Sequence, residues 1–201
     1  MTILVLAGMP ASGKSTVAAK LNAAFGLPVL EKDALKEEIF DTIGFTNYGE
    51  KRKTDHAANA VLLRCAEALL KNGQSMILDN NFDVQSAERL NALVEKYDCQ
   101  CITVFFGGDA DVFYHRYVER DRLHLRHLGH VVQEHYPLWE GDSPDHDMTR
   151  EEFREKFESR GMAQFQCKGE RIDLDATDPA KVDVDALIAQ IQQRMNVKED
   201  K

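Results

Sequence analysis

A chain of 201 residues is long enough for one hydrophobic core, and proteins of this size bury about 70% of their unfolded surface without disulfide or metal staples. With 43% hydrophobic and 29% charged residues, the composition is that of an ordinary globular protein. A formal net charge of −9 argues against a nucleic-acid partner, because polyanion binders carry a basic stripe or domain. The apolar stretch after Met1 runs only from Ile3 to Ala7, too short for a signal-peptide core or a membrane span. A cytoplasmic location with no membrane partner is therefore expected.

Strand and helix patterns alternate along almost the whole chain. Thr2 to Ala7 is an apolar run opening onto Gly8, the pattern of a buried parallel strand. Lys14 to Phe25 reads as a helix with Val17, Leu21 and Ala24 on one face, and Gly26 ends it as glycine commonly does. Leu27 to Leu30 is a short second strand leading to Asp33, and the four-residue spacing of Leu35 and Ile39 marks a helix after it. Residues 44 to 53 are polar and punctuated by glycine, so they read as a loop. His56 to Leu70 forms an amphipathic helix with Val61, Cys65 and Leu69 stacked, closed by Asn72-Gly73. Ser75 to Leu78 is a third strand ending at Asp79, and Asp83 can cap a helix carrying Leu90, Leu93, Val94 and Tyr97.

Cys101 to Phe106 is the fourth strand, with Gly107-Gly108 as its turn, and Asp109 to about Arg126 reads as helical. From His127 to Asp147 periodicity fails at Gly129, Pro137, Gly141 and Pro144. Thr149 and Glu152 have the spacing of a capping box before Phe153 and Phe157. Arg171 to Leu174 is a fifth strand, and a last helix after Asp183 carries Val184, Leu187, Ile188, Ile191 and Met195. Five strands separated by helices imply an α/β fold, a parallel sheet covered on both faces. No repeat or linker divides it, so 1–201 is expected to be a single domain. The cysteines Cys65, Cys99, Cys101 and Cys167 lack framework spacing and read as buried free thiols.

The chemistry concentrates at the strand ends. Gly8-Met9-Pro10-Ala11-Ser12-Gly13-Lys14-Ser15 matches G-x-x-x-x-G-K-[ST] in full, between a buried strand and an amphipathic helix. A triphosphate needs a ring of backbone N–H donors, which glycines allow to curl closely, and the helix start adds its positive end. Gly8, Pro10, Ala11, Ser12, Gly13, Lys14, Ser15 and Thr16 are thus the expected nucleotide-binding residues. Lys14 would contact the terminal phosphates, and the Ser15 hydroxyl would be a Mg²⁺ ligand.

Asp79, with Asn80 and Asn81, stands where parallel sheets place ligands. Its carboxylate either serves the magnesium or substrate, or simply begins the next turn. Asp33 can accept an alcohol proton, or can cap the helix carrying Leu35 and Ile39. Arg116, Arg120, Arg122 and Arg126 form the densest basic cluster. At helical spacing Arg116 pairs with Arg120 and Arg122 with Arg126, so at least one pair is expected at the nucleotide. His124, His127, His130, His135 and His146 share one irregular stretch. They read as a substrate-facing lid or exposed loop rather than as a metal centre.

Together the segments Gly8–Thr16, Glu31–Asp33, Leu78–Phe82, Arg116–Arg126 and Ile172–Asp178 resemble P-loop small-molecule kinases of the nucleoside-monophosphate-kinase-like fold. Within that fold they are most similar to the zeta-toxin, chloramphenicol phosphotransferase and polynucleotide 5′-kinase relatives. The resemblance implies a three-layer fold with strand order 2-3-1-4-5 and a mobile arginine-rich lid or insertion at about 116–148. It implies ATP and Mg²⁺, with Asp33 as general base and Lys14, Arg122 and Arg126 as catalytic residues. Arg120 and Thr177 would face ATP, while Lys36, Asp79, Asn80 and Asn81 would meet the substrate. The expected activity is transfer of the γ-phosphate to a small hydroxylated acceptor. A polynucleotide 5′-hydroxyl kinase and a nucleotide-dependent regulatory binder are the alternatives. No Asn-Lys-x-Asp guanine-reading motif occurs, and neither the acceptor nor the oligomeric state is fixed by any motif.

Overall fold

The computed structural model describes residues 1–144 and 148–196. Its centre is a five-stranded parallel sheet in the order β2-β3-β1-β4-β5, built from β1 (Thr2–Gly8), β2 (Val29–Glu31), β3 (Met76–Asp79), β4 (Gln100–Gly107) and β5 (Glu170–Asp175). The alternation of side chains along a strand divides the core into two layers. Leu4 and Leu6 of β1 join a cluster containing Val17, Leu21, Phe113, Phe153, Leu187 and Ile191. Ile3, Val5 and Ala7 face the other way, onto Leu62, Leu63, Ala66 and Leu90. The first layer is covered by α1 (Lys14–Phe25), α5 (Ala110–Arg122), α7 (Arg150–Glu158) and α8 (Val184–Asn196), the second by α3 (Tyr48–Lys71) and α4 (Val84–Lys96). Among the described residues no helix is long and apolar enough to cross a membrane.

Register sets the functional edge. Leu6 lies opposite Asp79 on one side and Val104 on the other, Asp79 opposite Glu31, and Gly8 opposite Phe106. The carboxyl ends of four strands therefore meet beside the loop that follows β1. The Thr149–Glu152 capping box is present, and Asp83 caps α4 by accepting from the Ser86 amide. Gly26 ends α1 in the left-handed conformation.

Three expectations need correction. The loop expected over 44–53 is confined to the residues before Tyr48, because Asn47 caps α3 there by accepting from the Glu50 amide. The buried stripe of α3 runs through Ala58, Leu62 and Ala66. Val61 is 43% exposed, and Cys65 is only half-buried, so the expected apolar face is rotated from the real one. The irregular stretch after α5 contains a single short turn of helix, α6 (Leu128–Val131), and is tied back to α2 (Lys32–Ile43) and its exit by Phe45–Tyr136 bridging. Phe40, Phe45 and Val132 form a small separate core there.

Candidate active site

The loop after β1 is shaped by its backbone. Gly8 has φ +128°, and a Cβ there would stand 2.3 Å from the Phe106 carbonyl oxygen of β4. Only glycine lets the chain leave the sheet so close to its neighbour. Gly8→Ala is expected to lower stability by about 2–4 kcal/mol in urea unfolding; a loss under about 1 kcal/mol would contradict the close approach. Ala11 (φ 59°) and Gly13 (φ 88°) are also left-handed, the kind of alternation that turns successive N–H groups into an anion-binding nest. No atom lies within 4 Å of the position a Gly13 Cβ would take, so that residue is dictated by φ alone.

Lys14, at the first position of α1, folds over this loop. Its Nζ donates to the carbonyls of Met9 at 2.7 Å and Gly8 at 3.2 Å, with Ser12 Oγ at 3.4 Å. Burial lowers its pKa to about 8, against the opposing pull of Asp79 and Asp33, and Arg120 adds to the lowering. Pro10 and Ser12 are buried, whereas Gly13, Ser15 and Thr16 are exposed at the loop mouth.

Ser15 Oγ donates to Asp79 Oδ2 at 2.7 Å. Burial raises the Asp79 pKa and Asp33 adds to that, opposed by Lys14 and Ser15. A hydroxyl and a buried carboxylate are hard oxygen donors, the set from which Mg²⁺ is held with phosphate oxygens and water. The pair therefore fits such an ion. Asn80 is buried, its amide nitrogen 3.4 Å from the Leu6 carbonyl and its carboxamide 3.5 Å from Asn59. Asn81 lines the cavity beyond.

That cavity encloses about 980 Å³ between α2, α3, α7 and the strand ends. Asp33 opens into it. The N-cap of α2 is Glu31, so Asp33 lies in the first helical turn and is not the cap. No hydrogen bond from a described residue reaches its carboxylate. Burial opposes its ionisation, but the charges of His130, Lys32, Lys36 and Arg126 outweigh this and hold its pKa below the ordinary range. Asp33 is thus an ionised, undonated carboxylate at the cavity wall.

Lys36 is held by Asp55 at 2.9 Å, together with the buried Lys32 at 2.7 Å. Lys32 belongs to the Glu31–Asp33 segment that the sequence singles out, whereas nothing in the sequence marks Asp55. Their link joins α2 to α3, and Asp55→Asn would leave the ammonium groups of both Lys32 and Lys36 without their counter-charge. The expected cost is about 2 kcal/mol, visible as a lower melting temperature; an unchanged melting temperature would contradict it.

The arginines divide differently from their helical spacing. The helix α5 stops at Arg122, and His124 (φ 50°) reverses the chain. Arg126 thereby returns to pair with Asp121 at 3.0 Å and to lie 4.8 Å above the Tyr117 ring, with Arg120 at 5.8 Å from the same ring. Arg126 lines the cavity, and Arg120 lies close enough for its charge to act on Lys14 and to feel that of Asp33. Arg122 is exposed. Arg116 instead donates to the carbonyls of Ala176 (3.0 Å) and Thr177 (2.6 Å). Thr177 Oγ1 accepts from the Asp109 amide at 2.9 Å, so the loop after β5 is bolted to the loop after β4.

Of the histidines, His130 Nε2 lies 3.0 Å from Glu37, His127 2.9 Å from Asp41 and His135 2.7 Å from Asp142. His124 is exposed, and His146 lies outside the described residues. The cavity also holds Lys51, Lys156 and Tyr117, which the sequence reading passed over.

A protein family described as AAA domain matches residues 3–133. No curated protein sequence matches the chain. Among solved structures, a protein of Chloroflexus aurantiacus provisionally described as a kinase superposes with TM-score 0.80 at 26% identity, covering 96% of this chain and 97% of that one. A gluconokinase from Sinorhizobium meliloti gives TM-score 0.56 at 17% identity, over 98% and 97% of the two chains. A shikimate kinase from Bacteroides thetaiotaomicron gives 0.52 at 15%, over 97% and 98%. The last two establish likeness of fold.

Proposed function

The chain belongs to this AAA-domain family, and from that premise we propose that it is an ATP-dependent kinase that transfers the γ-phosphate to a hydroxyl of a small molecule. The observation that carries the reading is Asp33: ionised, without a donor, in a large polar cavity, and close enough to the loop lysine to act on its charge. Kinase descriptions of the structural relatives support the same class of reaction.

In this reading the nest from Gly8 to Gly13 and the start of α1 hold the triphosphate, and Lys14 turns from the Met9 and Gly8 carbonyls toward its terminal oxygens. Ser15 and Asp79 would hold Mg²⁺, which would supply positive charge to the phosphates. Arg120 and Arg126, stacked on Tyr117, sit where charge spreads during transfer, and Arg122 swings in only if the segment 116–148 closes as a lid. Thr177 borders the base. Asp33 accepts the hydrogen bond of the acceptor hydroxyl, orients it and takes its proton as the new O–P bond forms. Asn81 and Lys36, on the cavity wall, meet the acceptor, with the buried Asn80 next to Asn81 in the chain.

ADP release should be followed with a panel of polyols, sugars, sugar acids, nucleosides and a 5′-hydroxyl oligonucleotide. At least one small hydroxylated compound is expected to raise the rate about tenfold or more over the basal ATPase. Tight ATP binding with no acceptor-dependent rate would instead favour a regulatory nucleotide binder, and a rate that rises only with the oligonucleotide would favour a polynucleotide kinase.

A further inference from the structure

The cavity has a cationic wall that the phosphate loop does not use. Lys51 of α3 is buried, and its ammonium donates to the carbonyls of His130 (3.0 Å) and Val132. Two of its three N–H donors are thereby taken and one is left. Lys156 of α7 lies 5.8 Å from the Phe157 ring centroid. Among the described residues, neither lysine forms an ion pair. Lys36 and Arg126 line the same cavity, but each already has its carboxylate, Asp55 and Asp121. Arg160 at the rim is likewise held by Asp83.

The groups also act on one another. Burial and then the charges of Lys36, Lys156 and Arg126 bring the Lys51 pKa down to about 6, with Asp121 opposing. Burial, Arg126 and Arg160 lower that of Lys156, with Asp55 and Asp121 opposing. Glu152 and Glu155 of α7 line the cavity as well. Crowded, buried like charges without counter-ions are destabilising, so Lys51 holds its third proton weakly, and a bound anion would restore that proton.

This wall is distinct from the triphosphate site. Lys51 and Lys156 line the cavity, whereas Lys14 is folded onto the Gly8 and Met9 carbonyls and is not part of its lining. Asp33 lines the same cavity, and its charge reaches Lys14 as well.

Resting on the kinase reading, we propose that the acceptor carries an anionic group, a carboxylate or a phosphate ester, seated between Lys51 and Lys156 while its hydroxyl faces Asp33. A neutral sugar or polyol would fill the space but bring no counter-charge to the two lysines. Discrimination between acceptors would then follow from charge before shape.

The test uses the full chain with its phosphate loop filled by a non-hydrolysable ATP analogue and Mg²⁺. Acylation of each lysine by an amine-selective reagent is read by mass spectrometry at constant ionic strength, with added inorganic phosphate, acetate or glycerol. Phosphate or acetate is expected to protect Lys51 and Lys156 about fivefold or more, while glycerol and the surface residues Lys20 and Lys71 show no such effect. Protection by phosphate alone assigns a phosphate ester, and protection by acetate assigns a carboxylate. Lys156→Met should weaken the anion protection of Lys51. Protection no greater than at Lys20 and Lys71 with either anion would overturn the proposal. Because the readout is binding beside a filled nucleotide site, that failure is separable from an absence of phosphoryl transfer, which the acceptor panel reports.

Discussion

Lys14→Met is expected to lower kcat/KM for ATP about a thousandfold, or about 4 kcal/mol of transition-state stabilisation, while the protein stays folded. The side chain is buried, and methionine of similar volume fills its space. What is lost is an ammonium that now bonds only to Met9, Gly8 and Ser12 of the loop itself. A decrease under about tenfold would deny this lysine a role at the terminal phosphates. The wild-type protein should also show a pH signature. The free-state pKa of Lys14 is about 8, and a bound triphosphate raises it, so the protonated form is the one that binds. ATP affinity is full below that value and weakens by up to about tenfold per unit as pH rises above it. Calorimetric titration should show this slope in the wild type and its absence in Lys14→Met.

Asp33→Asn is expected to lower kcat about a thousandfold, with ATP affinity changed by less than about threefold. Asparagine keeps the size and can still accept a hydrogen bond, but it cannot take the proton. A structural account of Asp33 as a helix cap predicts something else, a stability loss with little kinetic effect. Glu31 occupies the cap position, so the variant should lose no more than about 1 kcal/mol, the worth of a first-turn charge. The Asp33 pKa lies below the ordinary value because the charges of His130, Lys32, Lys36 and Arg126 outweigh burial. Its proton uptake therefore falls below the ordinary carboxylate range, and kcat should lose nothing through this residue between about pH 8 and pH 5. Normal transfer by Asp33→Asn would remove Asp33 from the chemistry.

The phosphate loop was legible in the sequence because its requirements are local. Positive φ at Gly8 and Gly13, the cation at Lys14 and the hydroxyl at Ser15 are written in one contiguous segment. The strand ends carrying Asp33 and Asp79 followed from short apolar runs bounded by polar residues. What the sequence did not reveal depends on contacts distant along the chain. The first turns of α3 have no apolar stripe, since Lys51 and Thr54 are buried there against carbonyls rather than against hydrocarbon. The Asp55 bridge joins residues 19 and 23 positions apart, with no helical period to signal it. Helical spacing pairs Arg116 with Arg120 and Arg122 with Arg126, and that pairing holds only while the helix is unbroken. Neither glycine nor proline marks the break at Leu123–His124 that turns Arg126 back onto Tyr117. Arg116 was similarly misleading, because its guanidinium spends its donors on the carbonyls of Ala176 and Thr177.

The most direct test of the account is where the phosphorus of ATP goes. Protein, ATP and Mg²⁺ should be incubated with the acceptor that raises ADP release most, and the phosphorus NMR spectrum recorded for wild type and Asp33→Asn. The account predicts that ADP and a phosphate monoester of the acceptor appear in equal amounts with wild type, and that both nearly vanish with the variant. ADP accompanied only by inorganic phosphate, at the same rate with and without the acceptor, would contradict it.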